Sequence, residues 1–274
     1  MEINKIYCES NLETMAKMPD NFVDLVITSP PYDDLRNYNG YSFDFESVAK
    51  ELYRIMKQGG VVVWVVNDST KNGSESLTSF RQAIYFKEIG FNVHDTMIYA
   101  KNNYMPLTHN RYEQQFEYMF VFSKGKPKKF NPIMIDCISK GSKKYRGKAK
   151  QYESSYSERK RDETTITKEK KQKGNIWFYN VGNSSGDDKT KHNAPFPEQL
   201  ANDHIISWSN ENDLVYDPFM GSGTTAKMAM LNNRNYIGSE ISKEDCEIAE
   251  QRLKMCGGIF SNSFQTELSN EAGT

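Results

Sequence analysis

Leu214-Val215-Tyr216-Asp217-Pro218-Phe219-Met220-Gly221-Ser222-Gly223-Thr224-Thr225 runs from an apolar, β-like segment through a glycine turn into the start of a helix. Glycine lets backbone approach a ligand closely, and a helix N-terminus offers free N–H groups to a carboxylate. A second run has the same placement. Val23-Asp24-Leu25-Val26-Ile27 reads as a buried strand and is followed at once by Thr28-Ser29-Pro30-Pro31-Tyr32. Both motifs therefore sit where a strand ends, which is where open α/β sheets bind ligands.

The periodicity around these runs predicts strands near 5–8, 23–28, 60–66, 93–100, 116–122, 214–216 and 235–240. It predicts helices over 11–18, 45–56, 76–89, 197–207, 224–231 and 243–255. Strands alternating with helices specify an α/β fold with a doubly wound, mostly parallel sheet covered on both faces. The pair from Val93 to Phe122 has no helix-length connection and is expected to form an antiparallel edge.

At 274 residues with 37% hydrophobic content, the chain supports one α/β domain with a smaller inserted region. No apolar run approaches the roughly 20 residues of a membrane span, and the N-terminus lacks a secretory pattern, so a cytoplasmic protein without a membrane partner is expected. The cysteines, Cys8, Cys137, Cys246 and Cys256, form no C-x-x-C pair, which argues against a metal site or a disulfide framework. Cys8 and Cys246 are expected as buried, reduced thiols.

The net charge of −1 hides a strong asymmetry. Residues 124–173 hold 17 Lys/Arg against 6 Asp/Glu, a net +11, so the remainder carries −12. A basic segment of this kind suits a polyphosphate partner, through Coulomb attraction and counterion release. From Ser139 to Lys173 aliphatic residues almost vanish and the segment cannot bury a core of its own. The organisation expected is thus a first half over 1–123, a basic, flexible region over 124–182, a second half over 183–260 and a disordered tail over 261–274.

The two motifs, with Ile6–Tyr32, Gly59–Asp68, Glu113–Lys124, His192–Leu200 and Asp217–Arg252 around them, resemble the DNA methyltransferases that move a methyl group from S-adenosylmethionine to an exocyclic amine of cytosine or adenine. The order, acceptor motif first and cofactor motif last, is that of the permuted group, whose target-recognition region lies between the halves. The resemblance implies a Rossmann-like sheet, S-adenosylmethionine as cofactor and double-stranded DNA as partner. It also implies a cognate restriction endonuclease as functional partner, and a monomer or homodimer.

A nucleobase amine is a poor nucleophile because its lone pair is delocalised into the ring. Acceptors placed against its N–H groups stabilise the charge that develops on nitrogen. In this resemblance Ser29 and Pro30 supply those acceptors, Pro31 stiffens the backbone, and Tyr32 stacks on a base extruded from the duplex. Asp217, Pro218, Phe219, Gly221, Ser222, Gly223 and Thr224 form the cofactor loop, with Asp217 complementing the ammonium or sulfonium. Glu240, at the end of the next strand, faces the ribose; Ala194 and Phe196 close over the methionine part. Glu9 takes the position near the adenine, where aspartate is usual. Serine at the head of the acceptor motif more often accompanies cytosine-N4 methylation, and aspartate adenine-N6. Adenine, RNA or protein amide acceptors, and a catalytically inactive nucleic-acid-binding module, are the other readings.

Overall fold

The structure, a computed structural model, describes residues 1–31, 43–104, 110–137, 169–181 and 196–256. In chain order the strands are β1 (Lys5–Tyr7), β2 (Val23–Thr28), β3 (Met56–Val66), β4 (Thr70–Lys71), β5 (Ser74–Glu75), β6 (Asn92–Lys101), β7 (Phe116–Ser123), β8 (Met134–Asp136), β9 (Lys170–Gln172), β10 (Ile176–Tyr179), β11 (Leu214–Asp217) and β12 (Asn235–Ser239). The helices are α1 (Asn11–Ala16), α2 (Phe45–Ile55), α3 (Thr78–Glu88), α4 (Glu198–Trp208), α5 (Thr224–Leu231) and α6 over 243–256.

Among the described residues, eight strands form one sheet in the order β1-β12-β11-β2-β3-β7-β6-β10. Every neighbouring pair is parallel except those of β7, which runs antiparallel to both β3 and β6. The β6–β7 pair is antiparallel as expected, but it is not the edge. That place belongs to β10, which pairs parallel with β6 from Ile176–Ile98 to Tyr179–Lys101. The segment is four residues long and alternates in burial, with Trp177 and Tyr179 inside and Ile176 and Phe178 exposed.

The chain leaves β11 through α5 to reach β12 on one side, and leaves β2 through α2 to reach β3 on the other. The reversal of direction falls between β11 and β2. The crevice at their carboxyl ends is the switch point at which open sheets of this kind accept ligands.

One face of the sheet is covered by α1, α2 and α3 around Trp64, Phe86 and Phe122. Phe86 is fully buried and meets the rings of Phe45, Trp64, Phe91 and Phe122 at centroid distances of 4.5–5.6 Å. Trp64 adds a polar constraint, because its indole N–H donates to Gln82 Oε1 at 2.8 Å and is thereby satisfied at full burial. On the other face, Ala226 of α5 and Cys246, Ala249 and Leu253 of α6 pack with Ile6. Of the two cysteines expected to be buried, Cys246 is and Cys8 is not. Cys8 lies one residue beyond β1, outside its ladder.

The chain divides into two compact units, Met1–Asn131 with Asn175–Thr274, and Pro132–Gly174. The second falls inside the basic region expected over 124–182, but that region's margins belong to the sheet unit. Lys129 bridges Asp24 at 2.9 Å and Asp213 at 2.5 Å, and the Asn131 N–H donates to Ser207 O at 2.8 Å. In the smaller unit β8 and β9 pair antiparallel as a two-stranded sheet, Met134 opposite Gln172. The tail expected over 261–274 lies outside the described residues.

Replacing Phe86 by Ala is expected to lower the unfolding free energy by about 3–5 kcal/mol, the cost of a large cavity among close-packed rings. Phe80→Ala, at a ring 42% exposed, is expected to cost less than half as much. Urea denaturation of the two variants checks the order.

Candidate active site

The glycine turn after β11 is built by local geometry. Gly221 and Gly223 have φ of +51° and +86°, left-handed values that disfavour any side chain. A Cβ on Gly223 would also lie 2.8 Å from Ala249 Cβ, so α6 packs directly on bare backbone. Gly223 is the N-cap of α5, which leaves that helix's first N–H groups facing the crevice end of the sheet.

Glu240 holds the turn from the neighbouring strand. Its Oε2 accepts from Gly221 N–H and its Oε1 from Ser242 N–H, both at 2.8 Å. A carboxylate has about four acceptor positions, so each oxygen keeps capacity for a ribose hydroxyl. Bare glycine backbone at a helix N-terminus, with a half-buried carboxylate at the end of the adjacent strand, fits a nucleoside cofactor carrying a carboxylate.

Asp217 is built into the junction between β2, the turn and α5. It is 1% exposed. Its Oδ1 accepts from Thr28 Oγ1 at 2.6 Å and from Phe219 N–H at 3.0 Å, and its Oδ2 accepts from Thr225 Oγ1 at 2.7 Å. The carboxylate therefore faces protein donors on the acceptor strand, its own loop and α5. Burial pushes its pKa up to about 6; the three hydrogen bonds oppose that shift and the negative charge of Glu240 adds to it.

Ser222 and Thr224 also turn inward, at 2% and 4% exposure. Arg252 of α6 donates to Ser222 O at 2.6 Å, to Ser222 Oγ at 3.1 Å and to Thr224 Oγ1 at 3.4 Å. The same guanidinium donates to Glu198 Oε1 at 2.6 Å, which also accepts from Lys227 at 2.7 Å. Two cations thus share one carboxylate behind the loop. Sequence reading missed Thr28, Thr225 and this trio as parts of the site. Thr28 and Thr225 stood inside the motifs, whereas α4 and α6 become neighbours of the loop only through the fold.

Phe219 swings out of the loop and packs edge-on against Phe43 at 5.1 Å and Trp64 at 6.3 Å, seating the cofactor turn in the acceptor half's core. Pro218 presents its carbonyl to the Asn11 amide at 3.3 Å. Ser29, Pro30 and Pro31 follow β2 directly, with Pro30 buried and Ser29 and Pro31 half-buried. Glu9 lies past the end of β1, but its carboxylate is engaged by Thr14 at 2.9 Å and Lys17 at 2.5 Å. Phe196 is half-buried ahead of α4. Tyr32 and Ala194 lie outside the described residues.

The raised Asp217 pKa fixes the sign of a pH effect. The folded state binds a proton at about pH 6 whereas the carboxyl of the unfolded chain, with its ordinary pKa of 3.8, does not. The folded state therefore holds more protons in this window, and stability from this group rises as pH falls from about 6 toward 4. Relative to Asp217→Asn, which has no such titration, the wild type is expected to gain stability between about pH 7.5 and about pH 4.5. Denaturant unfolding of both proteins at the two pH values checks the direction; a constant difference would refute it.

Comparison with known proteins agrees with this geometry. Residues 23–251 match the N6/N4 family described as DNA methylase. The orphan methyltransferase M.BamHII of Bacillus amyloliquefaciens is 58% identical over 242 residues, covering 86% of this chain and 90% of that one. The type II methyltransferase M.BglII of Bacillus subtilis is 28% identical and covers 92% of this chain and 69% of its own. Among solved structures, the complex of M1.HpyAVI with S-adenosylmethionine aligns with a TM-score of 0.60 and 26% identity, over 91% of this chain and 99% of that one. The cytosine-N4-specific PvuII DNA methyltransferase shares the fold at a TM-score of 0.66 and 20% identity, covering 94% and 91%. The doubly wound sheet is thus of the Rossmann-like methyltransferase type, and the chain belongs to the N6/N4 DNA methylase family, as an enzyme whose cofactor is S-adenosylmethionine.

Proposed function

We propose that the chain methylates the N4 amine of a cytosine extruded from duplex DNA. The observation that carries this reading is the junction at the switch point. The Thr28 hydroxyl reaches Asp217 at 2.6 Å, so the acceptor backbone that follows β2 and the cofactor turn that follows β11 open into one crevice. Serine, not aspartate, heads the acceptor motif, and this supports cytosine over adenine. The cytosine-N4-specific PvuII enzyme shares the fold, which is compatible with the same direction.

S-adenosylmethionine supplies an electrophilic methyl group on a sulfonium. The Ser29 hydroxyl and the Pro30 carbonyl accept from the two N4–H groups, localise the nitrogen lone pair and aim it in line with that methyl. Pro31 holds the backbone stiff, since proline fixes φ and brings no N–H into the site. Tyr32 stacks on the extruded ring, an interaction worth roughly 1–3 kcal/mol per base. Glu240 and the α5 N-terminus bind the ribose and carboxylate ends of the cofactor, with Phe196 and Ala194 closing over its methionine part. Once methylated, the amine is strongly acidic and releases its proton to solvent. The basic region between the halves contacts the duplex, and its charge is the source of salt-dependent affinity. The names of the type II relatives, at 27–28% identity, favour a restriction endonuclease as functional partner, whereas the 58% identical relative is named an orphan methyltransferase.

The test is to incubate the protein with mixed-sequence duplex DNA and S-adenosylmethionine, digest to nucleosides and identify modified bases by mass spectrometry. N4-methylcytosine is expected, and N6-methyladenine in its place would overturn the cytosine assignment. Ser29→Ala is expected to lower kcat on the order of 10²-fold, as when one preorganised contact to a transition state is removed. Its affinity for S-adenosylhomocysteine should stay within about twofold, because Ser29 touches the acceptor and not the cofactor. Calorimetric titration beside single-turnover kinetics separates the two effects.

A further inference from the structure

The backbone ladder between β2 and β11 pairs Leu25 with Val215 and Val26 with Tyr216, and goes no further. Beyond that point the two strands, one carrying the acceptor motif and the other the cofactor motif, are joined by side chains. We propose that Thr28 is a positioning residue for methyl transfer, which acts through the Asp217 carboxylate to set the spacing between the Ser29-Pro30 backbone and the cofactor turn. The inference rests on the reading of Ser29 and Pro30 as the acceptor site.

Three features of the junction carry it. Thr28 is 0% exposed and its hydroxyl lies 2.6 Å from Asp217 Oδ1, while Asp217 is 1% exposed. Water does not compete for this bond. An ionised carboxylate only accepts, so the Thr28 hydroxyl is fixed as donor and its orientation follows. Thr225 has one hydroxyl proton and two acceptors in reach, Asp217 Oδ2 at 2.7 Å and Ile27 O at 3.4 Å, and the shorter contact wins. Asp217 therefore joins β2, its own loop and α5 at one point, and Thr28 is the residue at that point that directly precedes the acceptor serine.

Position matters here because transfer between two held groups depends steeply on distance; a misplacement of about 1 Å costs on the order of 10²-fold in rate. Losing the Thr28 donor releases the acceptor strand from the turn while leaving Glu240, Gly221 and α5 as they are. The turn keeps its own supports, Gly221 to Glu240 and Ser222 to Arg252. The effect should therefore fall on turnover and not on cofactor binding.

The groups facing Asp217 are few. Glu240 stands across the turn and adds negative charge, and the phenol of Tyr216 is bonded to Ser239 Oγ at 2.8 Å. Lys227, on α5 beyond Thr225, is paired with Glu198. Removing one of the three donors must raise the pH at which the carboxylate takes up a proton, since that donor stabilised the charged form.

The test compares Thr28→Val, Thr28→Ser and the wild type by kcat on duplex DNA and by S-adenosylhomocysteine affinity from about pH 5 to about pH 8. Thr28→Val is expected to lower kcat by about tenfold or more while affinity at about pH 8 changes by less than about twofold. It should also move the acid midpoint of cofactor affinity upward, and Thr28→Ser, which restores the donor, should recover both readouts. Equal loss of kcat and affinity, no recovery in the serine variant, or an unmoved midpoint would overturn the proposal. A wild type that methylates no DNA would defeat the proposed function instead, and the midpoint of cofactor affinity would still decide the role of Thr28. Should the valine variant fold poorly, Thr28→Ala replaces it in the same comparison.

Discussion

The hydrogen bonds on Asp217 are the constraint around which the site is arranged. A doubly wound sheet opens a crevice where its chain direction reverses, because connections on either side lead away from it. Here that crevice lies between β11 and β2, whose backbone ladder stops two residues short of Thr28. At that point the packing of Phe219 on Phe43 and Trp64 is joined by a polar link. One buried carboxylate accepting from Thr28, Phe219 N–H and Thr225 replaces the missing ladder bonds. It also couples the permuted halves: residues 189 apart in sequence touch at 2.6 Å.

How much of this was legible in the sequence depends on how local the determining interaction is. The apolar run Val23–Thr28 and the helix Thr224–Leu231 have the bounds their patterns predicted, because alternation, turn glycines and helix entry are encoded within a few residues. The strand Ile176–Tyr179 falls inside the region over 124–182 that composition reads as flexible. Four residues after a polar stretch carry no periodicity that separates a strand from an ordered loop, and pairing with β6 decides the matter. The basic region's margins were misplaced for a similar reason. Lys124 and Lys129 look like the lysines that follow them, yet Lys129 neutralises Asp24 and Asp213, and Lys124 donates to Tyr53 O at 2.8 Å and Met56 O at 3.0 Å. Composition counts charges but does not say which carboxylate lies opposite.

The same distinction governs the site residues. The motif spacing placed the glycine turn, because the left-handed φ of Gly221 and Gly223 demands that residue type there. It assigned Asp217 to the ligand because an acid beside a cofactor loop invites that role. Its hydrogen bonds to Thr28, Phe219 and Thr225 were not legible, because they depend on the surrounding fold. The lysines around the cleft of about 580 Å³ at the amino edge of the sheet, Lys57, Lys128 and Lys129, follow the same rule. Two of the three hold Asp24 in place, with Asp24 kept below the usual carboxylate range by those bonds despite its burial. Much of the positive charge at that edge is thus paired with carboxylates of the sheet unit.

A buried, ionised Asp217 is costly, and the shift of its pKa to about 6 measures that cost in the direction of the neutral acid. A neutral amide of the same shape would avoid most of it. It would also replace an acceptor by a donor on one side, opposite a threonine hydroxyl that already donates to the carboxylate, and the junction would lose its fixed direction of hydrogen bonding. The acid accepts from three donors on three chain segments at once, which an amide with a single acceptor oxygen does only by crowding all of them onto one atom. Retaining the charge therefore exchanges some stability for a junction with one geometry, at the place where the distance between two loops sets the rate of the reaction.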